Sequence, residues 1–250
     1  MSSGDLLTNL AASLIAFVVG LLGRTAILRY QRHLYLTRVW QLFPHGRDLL
    51  YLSEGGIDPN FNPTDPWGEV IPALFEADVN AAVIIQIFMQ SVLGRRDVRI
   101  LSARKSTLDG ALSGNILIIG GSLTNSLFER MQALVPNPFD FIEDPDTNLY
   151  TIHSKSSGAI YKHTASGGRT TYDVGIVFLT GNPFRPQCRL ILIAGAGERG
   201  TEAAAGLLTS KRLLKTVPKS RPGRSTCYFI GAHIYNDSIG DPEVLETVLL

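Results

Sequence analysis

A glycine-rich turn near the C-terminal end of this sequence has residue types and a spacing that could bind a ligand. The residues from Arg189 to Leu208 read RLILIAGAGERGTEAAAGLL, and Gly195, Gly197 and Gly200 have the spacing G-x-G-x-x-G. Glycines at this spacing between a strand and a helix let backbone amides approach a phosphate, and the helix dipole adds positive potential. The pattern predicts either an anion-binding turn or a purely structural connection between strand and helix.

The same turn departs from a dinucleotide-binding site in two respects. Such a site has an acidic residue about 20 positions after the turn, but the corresponding region here reads TVPKSRPGRST and contains no acid. Glu198, inside the turn, would also repel a pyrophosphate. Binding of a nicotinamide dinucleotide is therefore disfavoured, while binding of another anion stays open. Thr201 is predicted to cap the following helix.

Another glycine turn, earlier in the chain, has the same character. The apolar run NILIIGG is followed by SLTNSLFERMQAL, which reads as a helix. A Walker A loop is excluded because the ending G-K-[ST] is missing. We predict that this turn contributes to the same anionic, nucleotide-derived ligand through Gly120, Gly121, Ser122 and Asn125. Ser122, Thr124 and Asn125 can also cap the helix.

Two carboxylates could support catalysis. Glu54 and Glu198 both follow predicted strand ends, so they could converge on one cleft and attack or orient the ribose of a nucleotide. Alternatively, Glu198 is an ordinary acid that stabilises a helix N-terminus. The five histidines show no metal-ligand spacing and no G-x-S-x-G motif is present, so neither a metal site nor a serine hydrolase is expected. His153 and His163 are predicted to be surface residues.

The segment GNPFRPQCR is a further candidate contact. Its asparagine and prolines predict a hairpin loop that exposes Phe184 and Arg185. An exposed aromatic ring beside an arginine can stack on a base and pair with a phosphate. In the structural alternative, Phe184 fills the core below the loop.

The elements that must position these residues indicate the α/β class. The order strand, glycine turn, helix occurs twice, and the strands are continuously apolar, as expected for a sheet that is covered on both faces. A helix is predicted over 73–93, ending at Gly94. Between the two glycine turns, alternating polar strands predict antiparallel hairpins. The predicted domain is Rossmann-like, with a mostly parallel sheet and an antiparallel hairpin extension.

The N-terminal segment predicts a single transmembrane helix. The 18 residues between Asp5 and Arg24 read LLTNLAASLIAFVVGLLG and carry no charge. As a helix they span about 27 Å, close to the hydrocarbon thickness of a bilayer. A signal peptide is disfavoured because the basic n-region and the A-x-A-like cleavage site are missing. The alternative is a buried core helix.

Charge placement predicts the orientation of this helix. Asp5 precedes the apolar run, whereas several arginines follow it, so the positive-inside rule places the body of the protein in the cytoplasm. Tyr30, Tyr35 and Trp40 are predicted to contact the membrane interface. The predicted division is a membrane and juxtamembrane part (residues 1–43) and a cytoplasmic domain (residues 44–250).

The composition limits the partners. A net charge of +1 gives no general attraction to nucleic acid, so none is expected as a partner. The two cysteines, Cys188 and Cys227, lie in or beside apolar runs and are predicted to be reduced.

The paired turns resemble two groups of Rossmann-like domains. The residues that carry the resemblance are NILIIGGSLTNSLFERM and LILIAGAGERGTEAAAGLL, joined by a GNP-bearing hairpin, about a fifth of the chain (115–131 and 173–208). They are similar to membrane-tethered cytoplasmic modules of bacterial nucleotide-centred conflict systems. They also resemble the C-terminal domain of archaeal S-layer-type proteins, although Ser122 stands where that pattern has proline and the predicted orientation fits an S-layer role poorly. The first resemblance implies a domain that senses or processes a nucleotide-derived ligand.

The leading hypothesis is a membrane-anchored cytoplasmic sensor or effector that binds a small anionic ligand and self-associates through its membrane helix. No particular cofactor is indicated. The alternatives are an enzyme that cleaves a nucleotide or NAD-like substrate, and an interaction scaffold without a ligand.

Overall fold

The structure, a computed structural model, describes residues 3–42, 48–52, 76–102, 114–121, 125–145, 149–216 and 224–250. The helices are α1 (Ser3–Leu34), α2 (Glu76–Ser91), α3 (Ser126–Leu134), α4 (Glu198–Thr209) and α5 (Lys211–Thr216). A π-helical turn, Tyr35–Val39, continues α1. The strands are β1 (Asp48–Leu52), β2 (Val98–Ser102), β3 (Asn115–Ile119), β4 (Phe139–Asp144), β5 (Leu149–Ser154), β6 (Ile160–Lys162), β7 (Thr164–Ser166), β8 (Arg169–Asn182), β9 (Arg185–Gly195), β10 (Thr226–Tyr235), β11 (Ser238–Ile239) and β12 (Glu243–Leu249).

The main sheet is mixed, which confirms the α/β class, but the prediction of a mostly parallel sheet is wrong, because five of its described strand pairings are antiparallel and three are parallel. Its order is β2-β1-β3-β9-β8-β10, with β11 and β12 paired to β10 and β7 paired to β8. The four strands β2, β1, β3 and β9 are parallel to one another. β8 is antiparallel to both β9 and β10, so the β8–β9 hairpin lies inside the sheet. The antiparallel strands β4, β5 and β6 form a separate small sheet.

Both faces of the main sheet are covered, which explains why its strands are continuously apolar. Successive residues of β3 point to opposite faces. Leu117 and Ile119 join a core with α2, α4 and the π-helical turn, whereas Ile116 and Ile118 join a second core with α3 and the small sheet. Every residue of β1 and β3 is buried. Cys188 and Cys227 are buried and not disulfide-bonded, as predicted.

The end of the N-terminal helix is part of the domain core. Tyr35, Val39 and Trp40 are all at most 2% exposed. The indole of Trp40 stacks on Phe88 of α2, with ring centroids 5.8 Å apart, and Tyr35 meets the same ring edge-on. The prediction that Tyr35 and Trp40 contact a membrane interface is therefore wrong, because Phe88 recruits both rings to the core. The core begins inside the segment 1–43.

Helix α1 carries a long apolar surface that the domain leaves uncovered. From Ser13 to Val39 it is long and apolar enough to cross a membrane, and its most apolar window is not buried. Leu14, Phe17 and Leu22 are each more than 60% exposed. In the described part of the chain, this is the one helix that meets these criteria, and α2 instead packs on the sheet, as predicted.

A carboxylate on β12 attaches the small sheet to the main one. Glu246 accepts hydrogen bonds from the hydroxyls of Ser154 (3.0 Å), Ser157 (2.9 Å) and Tyr161 (2.8 Å). Burial, followed by the Glu246 carboxylate, raises the pKa of Tyr161 to about 12. The phenol therefore stays protonated and continues to donate to Glu246 at physiological pH.

A buried ion pair joins the starts of the parallel strands. Asp48 at the start of β1 is 1% exposed and accepts two hydrogen bonds from the guanidinium of Arg95, one of them at 2.9 Å. Asn115 at the start of β3 donates to the same carboxylate (2.9 Å), and its own side-chain oxygen accepts the backbone amide of Arg189 on β9 (3.0 Å). This network connects the first residues of β1 and β3 to Arg189 in the middle of β9.

We expect Arg95→Met to destabilise the protein strongly, because it leaves the Asp48 carboxylate buried without its cation. The expected loss is about 3–5 kcal/mol in the free energy of unfolding. Arg96→Met is the matched control, because the side chain of Arg96, the next residue, is exposed. It should change the free energy of unfolding by less than about 0.5 kcal/mol. Denaturant unfolding of the full chain in detergent, followed by tryptophan fluorescence, measures both. Equal effects of the two substitutions would contradict a stabilising role of the ion pair.

Candidate functional site

The two predicted glycine turns lie side by side at one edge of the sheet. The amide of Gly120 donates to the carbonyl of Ile193 on β9 (3.0 Å), and the Cβ position of Gly121 lies 4.0 Å from the carbonyl oxygen of Gly195. This follows from the parallel pairing of β3 and β9, whose C-terminal ends meet at the same edge. Ligands bind at this edge in open α/β sheets.

Of the three residues predicted as possible caps, Asn125 caps α3. Its side-chain oxygen accepts the amides of Leu127 (3.1 Å) and Phe128 (3.2 Å), and its side-chain nitrogen donates to the carbonyl of Ile119 (3.1 Å). The residue is fully buried. Asn125 therefore holds the turn in place from within. Ser122, which was predicted to contact the same ligand, lies outside the described residues.

Close backbone packing accounts for the glycines of the turn at Gly195–Gly200, which is the second of the two turns along the chain and is called the second turn below. A Cβ on Gly200 would lie 2.1 Å from the carbonyl oxygen of Val174, and a Cβ on Gly195 would lie 2.4 Å from the carbonyl oxygen of Gly197. Gly175 on β8 has the same constraint, since its Cβ would lie 2.2 Å from the carbonyl oxygen of Gly200. The first turn of α4 thus sits directly on β8 and β9, at a distance that no side chain permits.

The carboxylate of Asp173 lies in the second turn. One of its oxygens accepts the amides of Gly197 (3.1 Å) and Val174 (2.8 Å), and the other accepts the amide of Gly200 (2.7 Å). Asp173 is 1% exposed. Burial raises the pKa of this carboxyl, while the amides of Val174, Gly200 and Gly197 and the neighbouring ring of His163 act in the opposite direction. The amides of the turn therefore already have an acceptor, and this acceptor belongs to the chain itself.

Asp173 was not singled out from the sequence, although a signal exists. It is the charged residue in the strand TTYDVGIVFLTGN, two positions before Gly175. A carboxylate in an otherwise apolar strand requires donors, and a helix N-terminus supplies them. Sequence spacing alone does not reveal that β8 passes under the turn at Gly195–Gly200.

His163 also lies close to this turn, contrary to its prediction as a simple surface residue. It is partly buried, and in the described part of the chain its Nδ1 is buried without a hydrogen-bond partner. It is near enough to Asp173 to oppose the effect of burial on that carboxyl.

The prediction that Thr201 caps the second helix is wrong. Helix α4 begins at Glu198, with Gly197 as its N-cap residue and no side-chain cap of its own. Asp173 accepts the amide of Gly200, which an N-cap side chain would otherwise accept, so the helix starts before Thr201. Thr201 lies within the helix and is 3% exposed. The backbone of Glu198 stands at the helix start, where an acid is favourable. Glu54 lies outside the described residues.

Phe184 and Arg185 lie at the opposite end of β9 from the glycine turns. They belong to the tip of the β8–β9 hairpin, and β9 has 11 residues, so about 34 Å separates the two ends. Phe184 is 52% exposed and does not fill the core. One small ligand cannot touch both this tip and the glycine turns.

In the described ranges, no group of three or more histidine, cysteine or acidic side chains could hold a metal ion. Comparison of the chain with known protein families, curated proteins and solved structures finds no match. The chemistry of the site is therefore inferred from its own geometry.

We expect Gly200→Ala to destabilise the protein by about 3 kcal/mol or more, because its Cβ would collide with backbone that cannot yield. Gly206→Ala on the same helix is the control. Its Cβ would meet only Pro242, at 3.8 Å, so the loss of glycine should stabilise the helix by about 0.5–1 kcal/mol. Thermal unfolding of both variants tests this difference. A tolerated alanine at 200 would show that close packing does not explain the glycine.

Proposed function

We propose that this chain is a single-pass membrane protein whose Rossmann-like domain lies on the cytoplasmic side and binds a small anionic ligand. The membrane part of the proposal is supported by α1, because apolar side chains that stay exposed along a helix require a hydrophobic environment. The arginines that follow the apolar run support the cytoplasmic orientation.

The observation that carries the ligand-binding part is the Asp173 carboxylate in the turn at Gly197–Gly200. Two amides of this turn already donate to the two oxygens of a carboxyl group, so their geometry suits a carboxylate or phosphate. A ligand phosphate or carboxylate would compete with Asp173 for the same donors. The adjacent turn at Gly120–Gly121 would form the other side of the site.

Helix α4 supports a sensor or effector role. It begins at the turn that holds Asp173, packs along α2, and ends at Thr209. Helix α2 in turn carries Phe88, which contacts Tyr35 and Trp40 at the end of α1. Replacing Asp173 by a ligand would alter the start of α4, and this packed route would transmit the change to α1. A nucleotide-derived ligand and self-association of α1 complete the proposal.

We expect a double substitution, Val18→Arg with Leu21→Arg, to release the protein from membranes. Each arginine near the centre of a span costs about 2.5–3.5 kcal/mol of insertion. The control is Tyr30→Arg, which lies beyond the charge-free run and is 62% exposed. Alkaline carbonate extraction separates membrane-integrated from released protein. A wild-type chain that extracts into the supernatant would disprove the anchor.

We expect Asp173→Ala to bind inorganic phosphate, AMP or NAD at least about 10-fold more tightly than wild type, because the intramolecular competitor is gone. Calorimetry on the full chain in lipid nanodiscs measures the affinities. Asp241→Ala is the control, since that side chain is 97% exposed. Loss of the cap should cost about 1–2 kcal/mol of stability, so Asp173→Asn, which keeps an acceptor, serves as a milder second variant.

Unchanged affinity for all three anions in folded Asp173 variants would contradict an anion site at this turn. Consumption of AMP or NAD by the wild-type chain would instead favour the enzyme alternative. In that case Glu198→Gln should abolish turnover.

A further inference from the structure

A groove lies where α1 meets the domain. It is formed by the C-terminal third of α1, the end of α2, and the segment between α4 and α5, and it has a volume of about 550 Å³. This groove is separate from the glycine turns, because it lies at the end of α4 that is furthest from Asp173.

Three cations line the groove: Arg29, Arg32 and Lys211. Among the described residues that line it there is no aspartate or glutamate. The three side chains are exposed, and no carboxylate in the described part of the chain pairs with them. Three unneutralised cations around one concave surface attract an anion.

The guanidinium of Arg32 occupies the space that a side chain at Gly94 would fill. A Cβ on Gly94 would lie 2.7 Å from a guanidinium nitrogen of Arg32, and the positive φ of +63° at Gly94 also favours glycine. The turn that ends α2 therefore seats this arginine beside the groove.

The remaining lining of the groove is largely apolar. Leu28, Tyr35, Phe88 and Val92 contribute to it. Tyr35 is 2% exposed, and its hydroxyl has no hydrogen-bond partner in the described ranges. A ligand that fits this lining has an anionic head and an apolar body.

The groove lies at the depth of lipid headgroups. The charge-free run ends at Gly23, and at 1.5 Å per residue Arg29 follows about 9 Å later and Arg32 about 13.5 Å later. This places Arg29 near the outer limit of the polar layer next to the hydrocarbon core and Arg32 about one turn further out, from where both long side chains can reach back to the headgroups. The exposed apolar surface of α1 leads from the groove into the hydrocarbon layer.

We propose that this groove binds the phosphate headgroup of an anionic phospholipid from the cytoplasmic leaflet. This inference rests on the membrane anchoring proposed above. The phosphate lies among Arg29, Arg32 and Lys211, and the glycerol and upper acyl chains lie on Leu28 and Val92. A lipid fits better than a soluble anion, because the groove combines cations with an apolar lining beside the bilayer.

The test compares the full chain in nanodiscs of phosphatidylcholine with discs that also contain phosphatidylglycerol. Native mass spectrometry after detergent release measures the lipid that stays bound. Wild type should retain phosphatidylglycerol with about 10-fold or greater preference over phosphatidylcholine. The triple variant Arg29→Gln, Arg32→Gln, Lys211→Gln should lose this preference.

A matched triple variant, Arg96→Gln, Arg130→Gln, Arg169→Gln, removes the same charge from exposed positions outside the groove and should keep the preference. Lys211→Glu alone leaves α1 unchanged and should weaken retention several-fold, so it serves if the first triple variant folds poorly.

Entry of the chain into the discs reports on the anchor, and the lipid preference reports on the groove. Entry without a preference for phosphatidylglycerol, or equal loss in both triple variants, would overturn the headgroup site and leave the anchor intact. Failure to enter would overturn both. Binding of inorganic phosphate in phosphatidylcholine discs, dependent on the same three cations, would show a site for a soluble anion and overturn the assignment to lipid.

Discussion

The contact between the Asp173 carboxylate and the start of α4 is the constraint on which the candidate site depends. A helix N-terminus presents amides without intrahelical partners, and a buried carboxylate needs donors. Here the amides at the start of α4 donate to the Asp173 carboxyl group. Three glycines at this point let the helix lie against the strand backbones. This contact holds the start of α4 on β8, and the helix then covers one face of the sheet.

The two ends of the sheet are organised by opposite means. At the N-terminal ends of the parallel strands, the pair formed by Asp48 and Arg95 closes a polar network that is shielded from water. At the C-terminal ends, the connections are glycine turns with small residues and backbone amides. The first arrangement is suited to stability. The second leaves the chain close to the surface, where ligands of α/β sheets bind.

The N-terminal helix and the domain form one continuous body through a few aromatic contacts. Trp40 and Tyr35 pack on Phe88 immediately after α1 ends, and the π-helical turn between them belongs to the core. The basic groove lies at this junction, between α1 and the ends of α2 and α4.

The sequence by itself determined the helix that is apolar enough to cross a membrane, the α/β class, the helix that precedes Gly94, a cap within 122–125 and the reduced cysteines. These features are local, because each depends on composition, periodicity or one residue at a chain turn. Only the tertiary structure decided that the β8–β9 hairpin enters the sheet, that Tyr35 and Trp40 belong to the core, and that Asp173 lies in the second turn. It also separated Phe184 and Arg185 from the glycine turns by the length of β9. Strand pairing between distant segments brings these residues together or keeps them apart, and a linear spacing carries no record of that pairing.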